Sequence, residues 1–312
     1  MIITVTLNTA LDVTYRVAAL RPHTTHRVLA TEERPGGKGV NVARVLAALG
    51  HRTVVTGFAG GPCGAELRRL LAAAAPAGLL TDALVPTAGA TRRTVGVVDE
   101  ATGDTTMFNE PGPTVAPAEW TAFLGVYREL LADPAATAVA LCGSLPPGLP
   151  VGAYAELVRE ARAAGVFVVL DTSGEPLRRG LAARPDLIKP NADELTGLTG
   201  FSEPARAARH ARRRGARAVA ASLGADGMLA VTEEGDWQAR PPGRLSGNPT
   251  GAGDSAVAGL LSGLAEGLPW PGRLARAVAL SAATVLAPAA GEFDPAAYAA
   301  ALERVEVVPA AG

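Results

Sequence analysis

The stretch VNVARVLAALG at residues 40–50 is followed after two residues by TVVTGF at residues 53–58. The first part has the apolar spacing of a helix and ends at a glycine, a residue that commonly terminates helices. The second part is a short apolar run rich in β-branched residues, which is typical of a buried strand. A similar run, IITVTL at residues 2–7, precedes the predicted helix. Together these segments predict a strand–helix–strand unit.

The same alternation continues along most of the chain. Further buried strands are predicted at residues 137–143, 166–171, 186–189 and 218–223, with helices between them. Continuous apolar strands that alternate with helices indicate an α/β fold with a mostly parallel central sheet and helices on both faces. Ligands of such sheets bind beyond the carboxyl ends of the strands.

Two segments, residues 12–34 and residues 91–108, have a different pattern. Their apolar and polar residues alternate with a period of two, which is typical of half-exposed antiparallel strands. We expect both segments to form a small β lid over the edge of the main sheet. The length of 312 residues suits one large α/β domain, and the sequence shows no interdomain linker. The prediction is therefore a single domain of residues 1–312 that carries a lid.

Composition and charge exclude several classes of function. The chain has 29 Lys and Arg against 30 Asp and Glu, a balance that disfavours nonspecific binding of nucleic acid. Its two cysteines lack the spacing of zinc ligands, so we expect reduced thiols. The N-terminal MIITVTLN lacks the features of a signal peptide, and no apolar stretch is long enough to span a bilayer. We therefore expect a cytoplasmic protein that binds neither nucleic acid nor membranes.

The stretch PTGAGDSAVAGLL at residues 249–261 predicts an anion site. A glycine turn that opens a helix presents free N–H groups, which favour a phosphate. Asp254 would repel a phosphate that was merely bound there. Phosphoryl transfer from ATP to an alcohol explains its presence, because the amides of Gly251, Ala252 and Gly253 can hold the transferred group while Asp254 accepts the proton of the alcohol. An acidic residue that offsets the helix dipole is the structural alternative.

Two other nucleotide-binding patterns fit this chain poorly. GAGDSA also matches the dinucleotide-binding pattern GxGxxA, but that turn closes the first strand of a βαβ unit and is followed about twenty residues later by an acidic residue. Here the motif lies late in the chain, and residue 273 is an arginine. GGKG at residues 36–39 is not a Walker P-loop, because Gly39 stands where Ser or Thr is required.

Two earlier segments carry candidate ligand-binding residues. In GGKGVNVA, the glycines allow close approach of a ligand, Lys38 supplies a cation, and Asn41 supplies an amide one helical turn later. In LNTALD, Asp12 follows the first strand and can accept hydrogen bonds from sugar hydroxyls. A glycine-rich connection with a solvated lysine, and an aspartate that caps a turn, are the structural alternatives at these positions.

The motifs taken together resemble those of PfkB (ribokinase-type) sugar kinases, in particular the 1-phosphofructokinase and tagatose-6-phosphate kinase branch. The resemblance covers essentially the whole chain and implies a ribokinase-like fold, ATP as a substrate and Mg²⁺ as a cofactor. One departure is Thr9, which stands where the branch usually has proline. The motifs that carry the resemblance occur in the expected order: LNTALD (7–12), GGKGVNVA (36–43), CGSLPPGLP (142–150), KPNADEL (189–195), SLGADG (222–227) and NPTGAGDSAVAGLL (248–261).

The resemblance also implies residue roles. Asp254 is implied as the catalytic base, with residues 251–253 as the anion hole. The nucleotide is implied to contact Asn191, Glu194, Ser222, Gly224 and Gly227, and Glu194 to organise Mg²⁺, largely through water. Asn191 and Glu194 also fit a helix capping box, and both roles are compatible. Asp171 is predicted to be structural or to act through its neighbours. The implied substrate-binding residues are Asp12, Gly37, Lys38, Asn41, Arg92 and Ser144.

The segment TRRTVGVV at residues 91–98 bears on the substrate class. Neighbouring side chains of a strand point to opposite faces, so only one of Arg92 and Arg93 can face the sugar. The resemblance assigns Arg92 to a phosphate of the substrate, which a guanidinium binds well. This predicts a kinase of fructose 1-phosphate or tagatose 6-phosphate. The alternatives are a kinase of an unphosphorylated sugar or nucleoside, and a non-catalytic regulator that binds a sugar phosphate.

The outward face of the same segment predicts a contact between subunits. Val95 and Val97 alternate with the residues that would face the substrate, so they lie on the other face of the lid. An exposed apolar face of a sheet usually marks an interaction site. We therefore expect a homodimer that forms through the lid.

Overall fold

The computed structural model describes residues 1–243, 247–287 and 290–310. The strands are β1 (Ile2–Thr6), β2 (Ala10–Val17), β3 (Ala30–Gly36), β4 (Thr53–Ala59), β5 (Leu80–Pro86), β6 (Arg92–Asp99), β7 (Thr105–Asn109), β8 (Ala138–Cys142), β9 (Phe167–Asp171), β10 (Leu187–Ile188), β11 (Ala218–Ser222), β12 (Met228–Val231), β13 (Asp236–Arg240) and β14 (Glu306–Pro309). The helices are α1 (Lys38–Ala48), α2 (Gly61–Ala73), α3 (Pro117–Ala132), α4 (Ala153–Ala163), α5 (Gly174–Ala182), α6 (Ala192–Thr199), α7 (Pro204–Arg214), α8 (Ala252–Ala265), α9 (Trp270–Val285) and α10 (Pro295–Leu302).

The main sheet has ten strands in the order β5–β4–β1–β8–β9–β10–β11–β12–β13–β14. Every pairing from β5 to β11 is parallel, and the remaining three pairings are antiparallel. The strands predicted from apolar runs are all present within a residue or two of the expected bounds. The predicted α/β class with a mostly parallel sheet is confirmed.

Helices cover both faces of this sheet, as a single strand illustrates. Successive side chains of β1 point to opposite faces. Ile2 packs into a cluster that includes residues of α1, α8 and α9, whereas Ile3 packs into a cluster that includes residues of α3 and α4. Both isoleucines are buried. A strand that is buried at every position, as β1 is, therefore requires a helical layer on each side.

A second sheet of four strands, in the order β3–β2–β6–β7, is formed by the two segments with the period of two. We call it the small sheet. Its outer pairs are antiparallel as expected, but β2 and β6 pair in parallel. The reason is that β2 follows β1 and β6 follows β5, and these two parallel strands end at the same edge of the main sheet. The chain therefore leaves that edge in the same direction at the start of β2 and at the start of β6.

None of the helices in the described part of the chain has the length and apolar character needed to cross a membrane.

Candidate active site

A cavity of about 1220 Å³ lies at the carboxyl edge of the parallel strands, beneath the small sheet. This is the edge at which open α/β sheets bind ligands. Every residue that the sequence singled out for catalysis, substrate or nucleotide lines this cavity. They are Asp12, Gly37, Lys38, Asn41, Arg92, Ser144, Asn191, Glu194, Ser222, Gly224, Gly227, Gly251, Ala252, Gly253 and Asp254.

The N-terminus of α8 points its first turn into the cavity. Gly251 precedes the helix with a φ of 83°, and a Cβ there would lie 2.7 Å from Ala290, so the position needs glycine. The Ala252 N–H donates to the carbonyl of Pro249 over 3.1 Å, so this amide already has an acceptor within the protein. The Gly253 amide lies in the first turn, where N–H groups have no intrahelical acceptor. An anion at this end of the helix is also favoured by the helix dipole.

Asp254 is buried at the floor of the cavity. The Asn41 Nδ2 donates to its carboxylate over 2.8 Å, which fixes the orientation of the carboxyl group. Burial raises the pKa of Asp254 to about 6, and the nearby charge of Lys38 limits that rise. A carboxylate with this pKa is largely ionised at neutral pH and is a stronger base than an exposed aspartate.

An ion cluster around the buried carboxylate of Asp171 lies beside Asp254. The Lys38 Nζ and the Lys189 Nζ are each 3.4 Å from the Asp171 carboxylate, and Asp171 is 1% exposed. The charge of Asp171 raises the pKa of Lys38, so this ammonium stays protonated. A Cβ on Gly253 would lie 3.5 Å from the Lys189 Nζ, which places that ammonium next to the first turn of α8. Both ammonium groups contact the Asp171 carboxylate, and both residues line the cavity.

Lys189 is the residue of this cluster that the sequence reasoning missed. It is 4% exposed and lines the cavity. The sequence did contain an indication of this position, because Lys189 directly follows β10 and Asp171 ends β9. Residues at the carboxyl ends of neighbouring parallel strands converge on the ligand site.

Asp12 lies on the face of the small sheet that covers the cavity. Its pKa is raised to about 6 by burial, against the effect of a hydrogen bond from Thr94 and the charge of Arg92. A Cβ on Gly36, the partner of Ala10 in β3, would overlap the Asp12 carboxylate. Gly36 thus makes room for this carboxylate.

Arg92 and Arg93 point to opposite faces of β6. The Arg92 Nε donates to the carbonyl of Asn8 over 3.2 Å, and its Nη1 donates to the carbonyl of Glu110 over 3.1 Å. These two bonds anchor the guanidinium at the cavity wall through Nε and Nη1. Arg93 instead forms an ion pair with the Glu110 carboxylate over 3.0 Å, and its side chain is 55% exposed.

The opposite end of the cavity combines a helix cap, a turn and an apolar wall. Asn191 caps α6 through the predicted capping box, with the Asn191 Oδ1 accepting from the Glu194 N–H and the Glu194 Oε2 accepting from the Asn191 N–H. Gly224 and Gly227 flank a tight turn with φ values of 61° and 88°. The wall, which the sequence reasoning missed, consists of Val278, Ala282 and Val285 on α9. Such residues are indistinguishable from core positions in a helical pattern.

The carboxylates present fit a hydrated magnesium ion better than a metal held by protein alone. Within the described ranges, no group of three or more His, Cys, Asp or Glu residues could hold a metal. Mg²⁺ keeps several waters and is usually bound by one or two carboxylates together with phosphates of the substrate. Glu194, whose carboxylate lines the cavity at the start of α6, is suited to that arrangement.

The chain is similar to proteins that are named for phosphorylation of sugar phosphates. It is 42% identical over 294 residues to a 1-phosphofructokinase of Rhodobacter capsulatus, with 92% of each chain covered. It is 37% identical over 273 residues to a 1-phosphofructokinase of Xanthomonas campestris pv. campestris, with 85% of this chain and 84% of that protein covered.

Solved structures show the same fold. Phosphofructokinase-2 from Escherichia coli in complex with fructose-6-phosphate matches with a TM-score of 0.87 and 30% identity over 97% of this chain and 98% of that chain. A tetrameric inhibited form of that enzyme matches with a TM-score of 0.87 and 31% identity over 97% of this chain and 99% of that chain. Ribokinase from Arabidopsis thaliana, at 20% identity over 97% of this chain and 98% of that chain, shares the fold with a TM-score of 0.71. The predicted ribokinase-like fold is therefore confirmed.

The family model described as pfkB family carbohydrate kinase matches residues 4–297, which is most of the chain. The residues that line the cavity, from Thr6 to Ala290, all lie within this match. The chain belongs to the pfkB family of carbohydrate kinases.

Proposed function

We propose that the protein transfers the γ-phosphoryl group of ATP to a hydroxyl of fructose 1-phosphate and thereby forms a bisphosphate. The observation that carries this proposal is that Asp254, at the N-terminus of α8, and Arg92, on the small sheet, line the same cavity. The first can activate a hydroxyl, and the second can bind a phosphate that the sugar already carries. Tagatose 6-phosphate remains a second candidate from the sequence, but the relatives named 1-phosphofructokinase favour fructose 1-phosphate.

In the proposed mechanism, the oxygen of the sugar hydroxyl attacks the γ-phosphorus of ATP, and Asp254 accepts the proton of that hydroxyl. Asn41 holds the carboxylate in place, and Asp12 accepts hydrogen bonds from other hydroxyls of the sugar. The first-turn amides of α8, with Lys38 and Lys189, stabilise the negative charge of the phosphoryl group during its transfer. ADP leaves with the electron pair of the broken bond.

The nucleotide is proposed to occupy the other end of the cavity. The apolar wall of Val278, Ala282 and Val285 suits the flat face of an adenine base. The turn at Gly224 and Gly227 brings its backbone close to the ribose and phosphates. Mg²⁺ neutralises phosphate charge when it is bound, and Asn191 and Glu194 would hold its hydration shell.

A panel of acceptors with ATP tests the proposed function. Formation of ADP is measured with fructose 1-phosphate, fructose 6-phosphate, tagatose 6-phosphate, and unphosphorylated fructose and ribose. We expect the highest kcat/KM with fructose 1-phosphate. A higher value with an unphosphorylated sugar would replace the proposal by the alternative kinase, and binding of a phosphosugar without any ADP formation would support the non-catalytic regulator.

We further propose that two copies of the chain associate through the outer face of the small sheet. In the register of β6 and β7, Val95 pairs with Phe108, so both lie on the face opposite Arg92. Phe108 is 57% exposed, and Leu29, in the connection between β2 and β3, is 59% exposed. Large apolar side chains that are exposed on a sheet or beside it are typical of a protein interface.

The expected result is a dimer mass in light scattering at micromolar concentration, which Phe108→Lys should shift to the monomer mass because it places a charge in an apolar contact. Val308→Lys is the matched control. Val308 is also an exposed apolar residue, but it lies on β14 at the far edge of the main sheet. A monomer mass for the unaltered protein, with full activity, would contradict the proposed dimer.

A further inference from the structure

Asn8 connects the two groups that the proposed function assigns to the phosphate of the acceptor. It follows β1, is 5% exposed and lines the cavity. Its Nδ2 donates to the Ser144 Oγ over 3.1 Å and to the Pro111 carbonyl over 3.0 Å. Its main-chain carbonyl accepts the bond from the Arg92 Nε. One residue thus contacts three segments that are distant in sequence.

The contact with Pro111 fixes which end of the amide faces Ser144. A carbonyl oxygen can only accept, so the group that Asn8 presents to Pro111 is its NH₂ group. The same nitrogen reaches the Ser144 hydroxyl. Ser144 therefore accepts from Asn8, and its own proton is available for another acceptor.

We propose that Asn8 is a positioning residue that directs the Ser144 hydroxyl to donate to the phosphate of the acceptor, an inference that rests on the proposed function. With a lone pair of Oγ occupied by the Asn8 amide, the Ser144 proton points away from Asn8 and into the cavity. A phosphate oxygen there is the strongest acceptor that such a ligand offers. Asn8 would also prevent Ser144 from donating to the protein instead of the ligand.

The geometry separates the side chain of Asn8 from its backbone. Ser144 is oriented by the side-chain amide, whereas Arg92 is held by the main-chain carbonyl. Substitution of the side chain therefore removes the bond to Ser144 and keeps the Asn8 carbonyl that accepts from the Arg92 Nε. The effects of Asn8 and Ser144 variants should overlap, while those of Asn8 and Arg92 variants should multiply, because coupling is confined to residues that act together.

The test is a pair of double-mutant cycles with fructose 1-phosphate and ATP. We expect Asn8→Ala to raise KM for fructose 1-phosphate about tenfold and to leave kcat and KM for ATP nearly unchanged. The double variant with Ser144→Ala should be no worse than Ser144→Ala alone. Asn8→Ala combined with Arg92→Ala should lose the product of the two single effects.

Asn8→Asp is a second, nearly isosteric variant. A carboxylate accepts from Ser144 instead of donating to it, and it adds a negative charge near the phosphate. We expect a larger rise in KM for fructose 1-phosphate than with Asn8→Ala. A smaller rise than with Asn8→Ala would contradict the proposal.

Tyr154→Phe is the control for a variant that only loosens the segment around Ser144. The Tyr154 hydroxyl donates to the carbonyls of Cys142 and Gly143 from outside the cavity, next to Ser144. Its effect should multiply with that of Ser144→Ala. If Asn8→Ala also multiplies with Ser144→Ala, or raises KM for ATP equally, its role is structural and the inference fails. If Ser144→Ala and Arg92→Ala both leave KM for fructose 1-phosphate unchanged, the proposed phosphate site itself is wrong.

Discussion

Asp254→Asn is expected to lower kcat about 10²–10⁴-fold, the usual contribution of a general base, while KM for ATP and fructose 1-phosphate changes little. Asparagine keeps the shape of the side chain and can still bond to Asn41, but it cannot accept the proton of the hydroxyl. Removal of a negative charge near Lys38 and Lys189 also does not weaken the binding of phosphates. Steady-state kinetics with both substrates varied measures this separation of kcat from KM.

The nearby carboxylate of Asp171 makes this prediction specific. Asp171 lies between two ammonium groups, each 3.4 Å away, so its charge is already neutralised by Lys38 and Lys189. Asp254 instead bonds to a neutral amide and lines the cavity. If Asp171→Asn abolished turnover while Asp254→Asn kept the original kcat, the roles of the two acids would be the reverse of those proposed.

Asp186→Asn provides the matched control for loss of a partly buried carboxylate. Asp186 precedes β10, at the amino edge of the same sheet, where it accepts from the Val168 N–H and pairs with Arg217. We expect this variant to lower the free energy of unfolding and to keep kcat. A fall in kcat equal to that of Asp254→Asn would show that the assay reports stability and not catalysis.

Much of the candidate site could be predicted from the sequence, because the carboxyl ends of parallel strands lie at the same edge of the sheet. Asp171 ends β9, Lys189 follows β10 and Asp12 lies shortly after β1, so all three reach the same edge. The glycine turn at residue 251 was also predicted from the sequence. The structure explains why glycine stands there, since the positive φ and the close approach to Ala290 disfavour any other residue. Strand ends and glycine turns depend on only a few neighbouring residues, so they can be predicted from a short stretch of sequence.

Contacts between distant segments were not predictable in the same way. Asn8 bonds to Pro111 and Ser144, which are 103 and 136 residues away along the chain. Nothing in the local sequence of any of the three residues indicates this contact. The direction of the pairing of β2 with β6 was missed for a similar reason, because a period of two defines the face of a strand but not its partner.

Arg92→Ala is expected to lower kcat/KM for fructose 1-phosphate about 10–150-fold and to leave KM for ATP nearly unchanged. A charge-assisted contact with a phosphate is worth roughly 1.5–3 kcal/mol, which corresponds to that range. The guanidinium is anchored by the carbonyls of Asn8 and Glu110, so little entropy is lost when its free side meets a ligand. Kinetics with fructose 1-phosphate and tagatose 6-phosphate at saturating Mg·ATP measure the effect.

Arg92→Lys and Arg93→Ala distinguish the geometry of this contact from its charge. Lysine should restore only part of the lost kcat/KM, because an ammonium cannot reproduce the planar fork that holds two carbonyls and a phosphate at once. Arg93→Ala removes the same charge from the neighbouring residue, but its guanidinium faces outward and pairs with Glu110, so we expect a small change. If Arg93→Ala were the damaging substitution, a different face of β6 would bind the phosphate. If neither arginine mattered and an unphosphorylated sugar were the better acceptor, Arg92 would have no phosphate to bind, and the substrate would have to be sought among free sugars and nucleosides.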